Sequence, residues 1–173
     1  LNENSHINLG TGVGIITPGF SGQSTQVEDP YISYSNVFGV GSSQHVISAN
    51  VVKYSSKELV DVDKLAYELG VFYTQLIKMP GSGWQGGLVY LFTHEIYSEV
   101  TEDNSEGTLN TVGFYPFIEY EFNPKYSFRT VYRGASFYST RADFNTYKWD
   151  EATQSLGVGM ALDRDIYLYP NLQ

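Results

Sequence analysis

The residues best placed to do chemistry are ionisable groups on the less apolar parity of the chain's alternating segments: Glu68, Glu95, Glu119, Glu121, Arg129, Arg133 and Asp163. Charges turned towards a narrow interior are unfavourable unless paired, so these groups are expected to form a lumen charge network. A tight turn centred on Pro124 sets Glu119 across from Arg129, at the separation of a cross-strand ion pair. A turn centred between Gly81 and Ser82 likewise sets Glu68 across from Glu95. Two facing carboxylates share a proton or attract a cation, unless an arginine neutralises them. The main expectation is a salt-bridged plug that stiffens the interior, with a water-filled gate as the alternative.

No catalytic, cofactor-binding or metal-binding residues are expected. His6, His45 and His94 are far apart and match no zinc spacing. His94 adjoins Glu95, but neighbours on a strand point to opposite faces, so they do not make a base and its orienting partner. Gly10-Thr11-Gly12-Val13-Gly14 lacks the lysine and the helix of a phosphate loop.

The elements that carry these groups are read from a period of two. Ile7, Leu9, Val13 and Ile15 share one parity while Asn8, Gly10, Gly12 and Gly14 hold the other. The pattern returns from 31 to 41, where Asn36 interrupts the apolar set, and again through Ile47, Ala49 and Val51. It is clearest from 65 to 77, with Leu65, Tyr67, Leu69, Val71 and Tyr73 against Ala66, Glu68, Gly70 and Thr74. Leu88, Tyr90 and Phe92 follow, then Val112, Phe114, Ile118, Tyr120 and Phe122, a run in which Pro116 demands an irregular or weakly paired position. After Asn123-Pro124-Lys125 the return run sets Tyr126, Phe128, Thr130 and Tyr132 outward, and Leu156, Val158 and Met160 later oppose Gly157 and Gly159. A soluble sandwich puts its bulky groups inside, whereas glycine and small polar groups opposite aliphatic ones suit a narrow barrel whose exterior meets lipid.

The predicted fold is therefore all-β: one domain over residues 1–173, an antiparallel up-and-down transmembrane β-barrel of eight strands, with ten as the alternative. Residues 166–173 spoil the count, because they read as a ninth segment or as an extension of the eighth past a bulge. Links at 41–44, 78–84, 123–125 and 163–165 are short, while those near 17–29, 55–64, 99–108 and 139–152 are long and polar, as expected of turns on one side of a membrane and loops on the other.

Composition agrees. The 15 tyrosines and 17 glycines favour β structure, and the longest apolar run, 88–92, is far short of a membrane-spanning helix. The polar start of the chain, without a signal sequence, fits a mature exported protein. A net charge of −9 argues against nucleic acid as a partner.

The alternating segments, the short Asn-Pro-Lys turn and the strand-end aromatics Tyr120, Phe122, Tyr126 and Phe128 resemble the small outer-membrane barrels of the OmpA, OmpX and OmpW class. The resemblance is one of pattern and size and covers nearly the whole chain. It implies a bacterial outer-membrane location, membrane lipid as a partner, those four aromatics at the membrane interface, and a structural, scaffolding or surface-interaction role. A small porin is the alternative; a lipid-modifying enzyme and a soluble lipocalin-like carrier are further ones. Gly134, Ser136 and Asn36 read as small or polar outward positions, where a homo-oligomer would pack.

Overall fold

The computed structural model describes residues 4–11, 13–15, 25–27, 29–56, 58–99, 104–133, 135–150, 152–161, 167–168 and 171–172. Its strands are β1 Ser5–Gly10, β2 Val13–Ile15, β3 Thr25–Val27, β4 Tyr31–Val40, β5 Ser43–Lys53, β6 Leu65–Lys78 and β7 Trp84–Tyr97. They continue as β8 Thr108–Asn123, β9 Tyr126–Arg133, β10 Ala135–Thr140, β11 Lys148–Trp149, β12 Thr153–Ala161, β13 Tyr167–Leu168 and β14 Asn171–Leu172. The described residues contain one π-helical turn, Glu58–Val62, and no helix long and apolar enough to cross a membrane.

Alternation of side chains across the pleat makes each run a strand, and short turns pair successive runs. Gly41, with φ 60°, is the first central residue of the two-residue turn joining Val40 to Ser43, a conformation that favours glycine. The Asn123 side chain closes the β8–β9 turn by accepting from the Lys125 and Tyr126 amides at 2.8 and 3.2 Å. The result is an antiparallel up-and-down sheet of 12 strands, nine of them along the path β1-β4-β5-β6-β7-β8-β9-β12-β13 and three, β10, β11 and β14, paired off it.

Several short strands continue one another. β9 and β10 both pair with β8, and β11 and β12 lie along β10 and β9 respectively. Between Phe117↔Val131 and Phe114↔Ala135 the register moves three residues on β8 and four on its partner, the signature of a one-residue bulge. Pro116 falls in that gap, where its missing N–H costs the ladder nothing on that side.

The expected strand count is corrected. Residues 167–168 and 171–172 do not prolong the eighth segment but pair with β12 in one register, Met160↔Leu168 and Leu156↔Leu172, so the sheet has more than eight members. Among the described residues β1 pairs with β4 alone, and β13 and β14 with β12 alone, so the sheet is open.

Burial separates the two faces. Ile7, Ile32, Ile47, Val51, Leu69, Val71, Phe92, Val112, Leu156 and Val158 are exposed on one, the outer face. The opposite, inner face holds the buried Gln85, Thr93, Ser127 and Ser155 together with Phe117, which at 8% exposure is the buried hydrophobic residue among those described. Glycines let its rings lie flat on the sheet: Phe117 covers Gly87, Tyr115 covers Gly113 and Phe72 covers Gly70.

Candidate functional site

The inner-face charges divide between the two ends of the strands. At the short-turn end Glu119 and Arg129 face each other in register; the turn pairs Asn123 with Tyr126, and the irregularity between Glu121 and Asn123 brings the ladder to the expected register. The Arg129 guanidinium lies over the Phe117 ring at 4.1 Å, and among the described residues an ion pair joins Lys78 Nζ to Glu121 Oε1 at 3.9 Å. Gln85 Nε2 donates to the same Glu121 oxygen at 3.2 Å. Arg133 lies farther along, 5.7 Å from the Tyr115 ring centre. A planar cation stacked on an aromatic face gains attraction through that face. Asp163 lies outside the described residues.

At the loop end Glu68 and Glu95 are direct cross-strand partners on β6 and β7. No arginine bridges them among the described residues. Their neighbour is Tyr54, just beyond β5, whose hydroxyl donates to Glu95 Oε2 at 2.8 Å and Oε1 at 3.0 Å. Burial, with the Glu95 carboxylate beside it, pushes the Tyr54 phenol well above its ordinary range, so it stays a protonated donor. Pairing of Lys53 with Tyr67 across β5 and β6 brings Tyr54 to this position from 41 residues away.

Tyr54 and Glu95 form one wall of a cavity of about 720 Å³. Leu59, Val62, Leu65 and Tyr97 supply apolar lining, and Asp63 and Glu106 supply exposed carboxylates. Asn104, buried at 7% exposure, ties the surrounding loops together. Its amide donates to the Glu99 and Asp63 carbonyls at 3.0 and 3.4 Å, and its oxygen accepts from Arg141 Nη1 at 2.6 Å. Arg141 in turn lies 4.5 Å over the Tyr97 ring, and the Tyr97 hydroxyl donates to the Thr108 carbonyl at 2.6 Å. Lys64, at φ 60°, is held in the left-handed region by the Ser98 amide and hydroxyl, which both donate to its carbonyl. A side chain in that region is retained where surrounding bonds over-determine it. Replacing Asn104 by alanine is expected to lower local stability by about 1 kcal/mol and to speed proteolytic nicking near 99–107 severalfold, with the strands unaffected. Limited proteolysis followed by mass spectrometry measures this.

The outer face carries the aromatics. Trp84 and Tyr120 have ring centres 4.8 Å apart, Tyr120 and Phe122 5.1 Å apart, and Tyr126 and Phe128 are exposed beside them next to the short turn. Trp84 belongs to this cluster although the strand-end pattern did not select it. A second row crosses from Phe38 through His45, Tyr73 and Tyr90 to Phe114. His45 is buried in that row, with Nδ1 2.7 Å from the Tyr73 hydroxyl. Its odd position in β5, shared with Ile47 and Val51, is the signal that assigns it to this face.

The expected outward placement of Ser136 is corrected. Ser136 pairs with Gly113 and is buried on the inner face, with Tyr115 Oη donating to its hydroxyl at 3.5 Å, because the bulge before Ala135 reverses the parity. Asn36 does lie outward, but it donates to Ser5 Oγ at 2.8 Å, so the chain itself satisfies its amide. Gly134 lies outside the described residues. No family model matches the chain, and neither does any of the curated proteins or solved structures compared with it.

Proposed function

We propose that the chain is an integral outer-membrane β-barrel protein with a structural or surface-interaction role, whose long loops form the functional end. One observation supports this above the others: the distribution of polarity is inverted, with large hydrophobic side chains exposed along successive strands while most of the buried residues are serine, threonine, asparagine and glutamine. In water such a continuous apolar face is an aggregation hazard, whereas in a bilayer it is the favourable surface. The reading requires the two open sheet edges to be paired, since hydrocarbon offers backbone groups no other partner. Rings lying over the inner-face glycines favour a filled scaffold over an aqueous channel.

The purified chain is expected to need detergent to remain monodisperse and to migrate faster on a gel before boiling than after. A monodisperse β-rich species in plain buffer would overturn the membrane reading, and steady ohmic openings in a planar bilayer would replace the scaffold by a pore.

A further inference from the structure

We propose that the loop-end cavity binds a small organic cation with an apolar body, a site independent of whether the outer face meets lipid. The cavity, about 720 Å³, has the size of a small-molecule site. Its walls combine the faces of an apolar pocket, Tyr54, Tyr97, Leu59 and Val62, with the carboxylates of Glu95, Asp63 and Glu106, and no basic side chain is among the described residues that line it.

The charge balance specifies the ligand. Glu95 is half-buried and opposed by Glu68, and the group that reaches it is the neutral Tyr54 hydroxyl. Among the described residues neither carboxylate has a basic partner within 4.0 Å. Arg141 is held against Tyr97 and Asn104 and is not part of the lining. A hydroxyl donor orients a carboxylate without neutralising it, so the facing pair is left to share a proton or to take a cation, and an ammonium group supplies the latter. An aromatic body would bury against Tyr54 and Leu59, and the ring faces favour a cation over an anion. The chain's net charge of −9 raises the local concentration of cations in the same sense.

Phenethylamine, its uncharged analogue 2-phenylethanol and the anion 3-phenylpropionate separate these contributions by isothermal titration on the full chain in detergent micelles. Saturable binding of the amine is expected, at least tenfold tighter than the alcohol, with no measurable binding of the anion. Glu95→Gln is expected to weaken the amine at least tenfold. Should that variant fail to fold, Leu59→Arg, on the turn outside the strands, places a positive charge in the lining and is expected to abolish amine binding alone. Equal affinity for amine and alcohol, no saturable amine binding to the parent, or undiminished binding to Leu59→Arg would each overturn the proposal. A chain that binds the amine yet proves soluble without detergent would sink the membrane reading and leave this site standing.

Discussion

Val71→Arg is expected, on the membrane reading proposed above, to lower stability in lipid by about 2–4 kcal/mol, the effect of a cation placed near mid-depth on a lipid-facing side of a strand. Val71 lies midway along β6, is 51% exposed, and pairs with Ala49 and Phe92 on the adjoining strands. In water the same substitution at so exposed a position falls within about 0.5 kcal/mol of neutral. The size of the loss therefore reports the solvent. Phe122→Arg supplies the depth control, because Phe122 is 61% exposed close to the β8–β9 turn, where the same charge costs only about 0–1 kcal/mol. Urea titration of both variants refolded into lipid vesicles measures the difference. Equal midpoints for parent and Val71→Arg would show that this face does not meet hydrocarbon.

Gly87→Ala is expected to destabilise the sheet at the upper end of the ~1–3 kcal/mol range for overpacking, or beyond it, while Gly86→Ala is nearly neutral. The two glycines are adjacent on β7 but face opposite sides. A methyl group at Gly87 would run into the Gln75 carbonyl oxygen on β6 and meet Phe117 ring atoms at 2.5 and 2.8 Å. A ring can rotate aside; a backbone oxygen in a ladder cannot, so β6 and β7 would have to separate. The same methyl at Gly86 meets the Phe117 carbonyl oxygen at 3.5 Å, an ordinary contact. For this reason Phe117→Leu is not expected to rescue Gly87→Ala. Equal unfolding midpoints for the two alanine variants would refute the packing described for the inner face.

Much of this arrangement was legible along the chain. The period of two assigned Leu69, Val71, Leu156 and Val158 to the exposed face and Glu68, Gly157 and Gly159 to the other, because the pleat itself alternates. The short turn after β6 carried the register further, setting Glu68 across from Glu95, whereas Glu119 reaches Arg129 through the irregularity that follows the β8–β9 turn. Pro116 marked an irregular position for a chemical reason, the absence of an N–H.

Where the pattern failed, the missing information was not local. One extra residue between Val131 and Ala135 turned Ser136 inward, and because glycine and serine are small, neither side of the sheet rejects them strongly enough to leave a signal. That Arg129 lies over an aromatic face was not legible either, because Phe117 is set there by its place over Gly87. The loop-end cavity was the least legible, since Tyr54, Glu95, Asn104 and Arg141 come from separate connections.

Consecutive residues thus determine which way each side chain faces and which residues a tight turn sets opposite, since both depend on geometry repeated every two residues. Only the tertiary structure decides what those side chains meet, because stacking, bulges and loop ties depend on how whole strands lie against one another.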